Sequence, residues 1–319
     1  MITYILFVIG FFLLIKGANL LVNGSASIAK KYNISSIVIG LTIVAFGTSA
    51  PEFIVNVFAS AQGNSGIAIG NILGSNIANI LLILGISAII YPVTAKKNTV
   101  LKEIPLSFLA VVVLGLMAND MMIDGENSSA ISRIDGLILL TFFIIFLYYI
   151  FGITKSPEDM VETDETQLFS NSKAILFIIL GLAGLVFGGK WIVDGAVKIA
   201  EHFKVSQTLI GLTIVAVGTS LPELATSAVA AYKKQSDIAI GNAVGSNILN
   251  IFWVLGASAV IRPLPFSVSS NSDIGMTVFA SIVLFAVMFI GKKRVIERGQ
   301  GIFMVTSYIA YMVYLVLTK

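Results

Sequence analysis

Two glutamates stand directly behind prolines inside apolar stretches, in GTSAPE at residues 47–52 and in GTSLPE at 218–223. A proline removes a backbone donor, and its ring clashes with the carbonyl four residues earlier. Pro51 and Pro222 are therefore expected to disturb a helix near Gly47 and Gly218, so that nearby carbonyls, those of Ala45 and Thr48 among them, turn toward a ligand. The hydroxyls of Thr48, Ser49, Thr219 and Ser220 add further oxygens, and spacings of three and four residues place them on the same side as Glu52 and Glu223.

A second pair of motifs reads GNILGSNIANI from Gly70 and GNAVGSNILNI from Gly241. Asn71, Ser75 and Asn79 are four apart and form one polar stripe on a helix, as do Asn242, Ser246 and Asn250. Gly70 with Gly74, and Gly241 with Gly245, have the small-xxx-small spacing that lets helices approach closely and would bring these stripes to the glutamates.

The resulting inventory is two carboxylates, hydroxyls, amide oxygens and freed carbonyls, with no cysteine in the chain and its single histidine, His202, in a loop. An all-oxygen set suits hard cations such as Ca²⁺ and Na⁺ and argues against Zn²⁺, Cu⁺ or iron. An ionised glutamate at the bilayer centre costs about 2.5 to 3.5 kcal/mol on insertion scales, and a divalent cation between two of them cancels both charges. A lone Pro-Glu would read as a structural kink with a protonated carboxyl; its duplication, together with the hydroxyls and amides, favours a site. Lys16 and Lys190 read as snorkelling side chains, Asn23 and Asp194 as caps or interface anchors, and Trp191 and Trp253 as anchors or packing residues.

The elements that must hold these groups are membrane helices. Of the 319 residues, 57% are hydrophobic and 12% charged, about half the charged share of a soluble domain, and the mean hydropathy is +0.96. A formal net charge of +3, spread along the chain, gives no nucleic-acid footprint. Without cysteine there are no disulfides, thiolate metal sites or thiol redox chemistry. Apolar runs of roughly 20 residues, enough to cross a bilayer, occur ten times, at 2–22, 35–60, 66–91, 100–118, 134–153, 173–199, 206–231, 237–261, 273–291 and 301–318. The first of these lacks the basic start of a cleaved signal and reads as a transmembrane helix. The segment 119–135 reads as an ordinary loop.

The chain repeats itself. A shift of 171 superimposes Gly40–Glu52 on Gly211–Glu223 with 11 of 13 residues identical, and Ile67–Gly85 on Ile238–Gly256 with 13 of 19 identical. Five helices per unit mean that the second copy enters the membrane from the opposite side. The loop charges agree: Lys30 and Lys31 correspond to Glu201 and His202, whereas Gln62 and Gly63 correspond to Lys233 and Lys234. The expected layout is all-α, ten transmembrane helices in two inverted five-helix repeats at 1–153 and 173–319, joined by an acidic cytoplasmic linker at 154–172. Lys30, Lys31, Lys96, Lys97, Lys102, Lys233, Lys234, Lys292, Lys293 and Arg294 mark the cytoplasmic side, with both termini outside.

At the four motifs the sequence resembles the cation/calcium exchanger superfamily and, within it, prokaryotic sodium/calcium exchangers. Both repeats and the ten-helix layout take part, so the resemblance spans nearly the whole chain. It implies a fold in which helices two, three, seven and eight enclose the ions. It makes Glu52 and Glu223 shared Ca²⁺ and Na⁺ ligands, and assigns backbone carbonyls of Thr48 and Thr219 to Ca²⁺. Ser49, Ser75, Ser220 and Ser246, with the carbonyls of Ala45 and Ala216, would line flanking Na⁺ sites, and Asn79 and Asn250 would complete the centre. Potassium-dependent relatives have aspartate where this chain has Asn250, so the site is expected to hold two formal negative charges and to need no K⁺. Calcium/proton exchangers typically have a glutamate soon after the GN of the third helix, where Leu73 and Gly74 or Val244 and Gly245 stand here.

The function expected is Na⁺/Ca²⁺ antiport by alternating access in a plasma membrane, with no cofactor, no nucleic acid and no obligatory protein partner. The alternatives are a Ca²⁺/H⁺ antiporter, a K⁺-dependent exchanger and a passive cation channel. An enzyme is not expected: the chain has no HExxH and no membrane histidine to partner a serine.

Overall fold

The computed structural model of the chain describes residues 2–123, 125, 127–153, 167–203 and 216–318. Helix α1 (Ile2–Tyr32) is followed by α2 (Ser36–Thr48) and α3 (Ala50–Gln62), which meet at a 48° bend. Then come α4 (Ser65–Ile90), α5 (Thr99–Met117) and α6 (Arg133–Ile153). The second half contains α7 (Asn171–His202), a single turn α8 (Ala216–Thr219), α9 (Leu221–Tyr232), α10 (Ser236–Ile261), α11 (Asn271–Val287) and α12 (Arg298–Thr318). Among the described residues, eight helices are long and apolar enough to cross a membrane, and nine if the bent pair is one span. The remaining expected span, 206–231, begins with residues outside the described ones, as does the repeated segment 211–223, and most of the linker lies outside them too.

Helix α1 is longer than its apolar run. It continues for ten residues past Val22 because Gly24, Ser25, Ala26, Ser27 and Ala29 are buried against neighbouring helices. Lys30 and Lys31, expected in a loop, occupy its last turn, where cations complement the helix dipole. Its 31 residues measure ~46 Å at ~1.5 Å per residue, longer than a hydrocarbon core of ~30 Å. Segment 119–135 is likewise more than a loop: it holds a helical turn at Asp120–Ile123 and the strand β2 (Ala130–Ile131).

α1 and α7 pack antiparallel along a glycine seam. A Cβ at Gly10 would lie 2.9 Å from the Gly188 carbonyl oxygen, one at Gly17 2.8 Å from that of Gly181, and one at Gly24 2.7 Å from that of Ala174. Only hydrogen at those positions permits backbones this close. The helix pair is reciprocal under the 171 shift, since Gly181 and Gly188 correspond to Gly10 and Gly17.

α4 and α10 form the buried centre and also run antiparallel. Gly63, before α4, lies against the guanidinium of Arg262, after α10, while Lys234, before α10, lies over the ring of Tyr91, after α4. Two short antiparallel ribbons reinforce the ends: β1 (Val93–Thr94) pairs with β4 (Val295–Ile296), and β2 pairs with β3 (Leu264–Pro265). Trp253 is a packing residue, stacked on Phe53 with centroids 4.4 Å apart.

Candidate cation site

The bend that opens the site falls at Ser49, two residues after the expected Gly47. Pro51 occupies the first turn of α3, where a missing N–H costs least, so the chain restarts a helix there instead of kinking one. Ser220 makes the same break before α9, with Pro222 in its first turn. The Ala45 carbonyl, expected to be released, accepts the Ser49 N–H at 2.9 Å. In the second copy the equivalent N–H of Ser220 turns instead to Val217, at 3.2 Å. Helix α7 underlies both breaks: Leu182 fills the place of a Cβ at Gly47, and Val193 that of one at Gly218.

The glutamates that follow are almost wholly buried, each with 1% of its surface exposed. Each is served by serines of both halves. Ser49 Oγ is 3.0 Å from Glu223 Oε1 and 3.0 Å from Ser246 Oγ. Ser220 Oγ is 3.4 Å from Glu52 Oε1 and 3.2 Å from Ser75 Oγ, and Ser75 Oγ is itself 3.4 Å from Glu52 Oε1. The second carboxylate oxygen of each, Oε2, is buried without a hydrogen-bond donor.

The threonine hydroxyls tie the two halves together. Thr48 Oγ1 donates to Asn242 Oδ1 at 3.0 Å and Thr219 Oγ1 to Asn71 Oδ1 at 3.3 Å, each crossing to the other half. Asn71 and Asn242 are thus tethers, and each makes a further bond within its own half, Asn71 to Asn56 Oδ1 at 2.7 Å and Asn242 to Ser227 Oγ at 3.0 Å.

Asn79 and Asn250 lie one turn beyond Ser75 and Ser246, at the start of π-helical stretches Ala78–Leu84 and Asn250–Leu255. Such widened turns concentrate at functional sites because they displace backbone and side chain from the regular ladder. The Oδ1 atoms of both asparagines are buried without a donor. Their N–H groups reach Asn247 and Asn76, at 2.9 Å each. These last two residues are absent from the ligand set expected from sequence. Their signal was the repeat itself, since both belong to an identical GSN triplet.

The structure therefore brings together Glu52, Glu223, Ser49, Ser220, Ser75 and Ser246, with Thr48, Thr219, Asn79 and Asn250 on the same short segments. Ala45 and Ala216 open the turns that lead into the two breaks, and Ala216 is the first described residue after Phe203. The close approach expected of the small-xxx-small pairs is present for Gly241 and Gly245, where a Cβ would lie 3.0 Å from Gly40 Cα and 2.8 Å from Leu41 Cα. The residues that the 171 shift equates with Gly40 and Leu41, 211 and 212, lie outside the described ones.

Buried acceptors without donors, two of them on carboxylates, form a set whose all-oxygen chemistry suits a hard cation. Among the described residues no group of three or more His, Cys, Asp and Glu could hold a metal ion, so any cation held here relies on hydroxyl, amide and backbone oxygens beside two carboxylates.

Comparison with known proteins agrees with this chemistry. The family described as sodium/calcium exchanger protein matches residues 2–152 and 173–317. A membrane protein of Methanocaldococcus jannaschii is 38% identical over 303 residues, covering 95% of this chain and 94% of its own. The sodium/calcium exchanger MaX1 of Methanosarcina acetivorans is 32% identical over 346 residues, covering 98% of each chain. A structure of the sodium-calcium exchanger NCX_Mj, soaked with 10 mM Na⁺ and zero Ca²⁺, superimposes with a TM-score of 0.84 at 36% identity over 98% of both chains. With both halves matched and the fold shared from end to end, this multi-pass, all-helical membrane protein belongs to the sodium/calcium exchanger family.

Proposed function

We propose that the chain is a secondary active antiporter that exchanges Na⁺ for Ca²⁺, with Glu52 and Glu223 as ligands shared by the two ions. The observation that supports this most directly is the quartet of buried, donor-free oxygens: Glu52 Oε2, Glu223 Oε2, Asn79 Oδ1 and Asn250 Oδ1. Ca²⁺ takes six to eight oxygens. Two carboxylates, the two asparagine oxygens and the carbonyls of Thr48 and Thr219 supply that number without a resident cofactor. Ser49, Ser75, Ser220 and Ser246, with the carbonyls of Ala45 and Ala216, would surround Na⁺ in flanking positions.

Ten helices in two inverted repeats, 1–153 and 173–319 joined through 154–172, are the architecture this mechanism needs. The antiparallel crossing of α4 with α10 and the self-complementary glycine seam of α1 with α7 support it. In this reading α1 and α7 move as one slab against the bundle while the ions stay near the midplane. Leu182 and Val193 on α7, seated at Gly47 and Gly218, would transmit that motion to both motifs. An empty site leaves two carboxylates facing each other in a low dielectric, so the change of access is slow until Ca²⁺ or Na⁺ neutralises them. Exchange is then obligatory. The basic ends of α1 and α9 and the loops around Lys96 and Lys292 face the cytoplasm of a plasma membrane, with both termini outside.

Uptake of radiolabelled Ca²⁺ into proteoliposomes loaded with Na⁺ and diluted into Na⁺-free buffer tests the reading. It requires uptake that depends on internal Na⁺ and ignores external K⁺ and a pH clamp. Uptake driven by a proton gradient instead assigns the same glutamates to proton exchange, and flux without any counter-ion assigns a channel.

A further inference from the structure

The antiparallel crossing of α4 and α10 is made by four asparagines, each with 1% or less of its surface exposed. Asn247 Nδ2 donates to the backbone carbonyl of Asn76 at 3.4 Å, and Asn76 Nδ2 donates to the backbone carbonyl of Asn247 at 3.3 Å. Asn247 Oδ1 accepts from Asn79 Nδ2 at 2.9 Å, and Asn76 Oδ1 accepts from Asn250 Nδ2 at 2.9 Å.

The order of these bonds fixes the orientation of every amide. A backbone carbonyl only accepts, so Asn247 must turn its NH₂ toward Asn76 and its Oδ1 toward Asn79. Asn79 must then answer with NH₂, which leaves its own Oδ1 pointing away from the crossing. The same logic runs from the Asn247 carbonyl through Asn76 to Asn250. Flipping any one amide sets acceptor against acceptor in a buried place, at the cost of an unmet polar group. The oxygens left over, Asn79 Oδ1 and Asn250 Oδ1, are the donor-free atoms one turn from Ser75 and Ser246.

We propose that Asn76 and Asn247 are positioning residues for the ion site: a crossed amide lock in which each, anchored on the other's backbone, presents the Oδ1 and not the NH₂ of its partner asparagine to the cation. The assignment rests on the reading of Asn79 and Asn250 as ligands. It also explains why the two halves act as one site, because the amide that orients the ligand on α4 belongs to α10, and the reverse.

A tie that only glues α4 to α10 would lower stability and nothing else, so the test is a pair of double-mutant cycles. The readout is Ca²⁺ affinity and maximal uptake rate of purified, folded protein in proteoliposomes. Asn247→Ala and Asn76→Ala are each expected to raise the Ca²⁺ concentration for half-maximal uptake about 10- to 100-fold, the usual effect of removing a group that orients a metal ligand. Asn247→Ala should add little to Asn79→Ala but act independently of Asn250→Ala, and Asn76→Ala should show the opposite pairing. Unchanged affinity in the folded single variants, or effects that combine independently within the crossed pairs, overturns the lock. Asn247→Leu and Asn76→Leu, which fill the vacated space, replace any alanine variant that does not fold; failure of both kinds to fold identifies a structural tie and also overturns it. If Asn79→Ala and Asn250→Ala leave Ca²⁺ affinity unchanged, it is the ligand reading that fails.

Discussion

Ser49 and Glu223, 174 residues apart, are joined by a hydrogen bond of 3.0 Å from Oγ to Oε1. Ser220 reaches Glu52 in return, at 3.4 Å. Each proline break thus supplies the hydroxyl that steadies the carboxylate of the other, and neither motif is a site by itself. The two copies are not identical: Ser49 keeps an α-helical bond to Ala45, whereas Ser220 takes the tighter turn to Val217.

Glu52→Gln and Glu223→Gln should each abolish Na⁺-driven Ca²⁺ uptake, because one remaining carboxylate cannot neutralise a divalent cation at the bilayer centre. Thermal unfolding in detergent should be unchanged or raised, since the substitution relieves a buried like-charge pair. Normal uptake by either variant refutes the ligand assignment.

Asn250→Asp adds a third formal charge. It also places a carboxylate where Asn76 Oδ1 now receives an N–H at 2.9 Å. Uptake measured with and without K⁺, and across pH, should become sensitive to one or the other. Ion dependence identical to that of the parent protein removes the significance given to position 250.

Gly181→Val tests the seam. A Cβ there would stand 2.6 Å from the Leu21 backbone nitrogen and 2.8 Å from the Gly17 carbonyl, neither of which can move aside. Overpacking of this kind costs about 1 to 3 kcal/mol, so the melting temperature should fall and uptake with it. Gly275→Ala, in α11, meets no described atom within 4 Å and should be neutral or slightly stabilising.

Lys233, just past the end of α9, donates to Asn23 Oδ1 at 2.6 Å. Burial lowers its pKa from the ordinary lysine value. The unfolded chain therefore binds more protons between the lowered pKa and about 10.4, and stability should rise with pH across that window. Lys233→Met should remove this increment from the pH dependence of thermal unfolding. A rise of the same size in the variant assigns it to other groups.

Much of this protein was legible in its sequence because a membrane imposes simple rules. Apolar runs had to be helices, an intramembrane Pro-Glu had to be exceptional, and an ungapped 171-residue repeat had to reproduce one local structure twice. Hence Glu52, Glu223 and the four serines could be named, and the structure gathers them. Local rules failed where a neighbour decided the outcome. α1 runs on to Tyr32 because small residues after Val22 find partners, and the break falls at Ser49 because Pro51 suits a helix start better than a helix middle. The repeat marked Asn76 and Asn247 as equivalent positions, but gave no sign of what they do. A spacing of four marked Asn79 and Asn250 as part of a stripe, but which end of an amide faces an ion depends on what stands behind it. Here that is the side-chain oxygen of an asparagine in the opposite half, Asn247 behind Asn79 and Asn76 behind Asn250, and only the tertiary crossing of α4 with α10 supplies it.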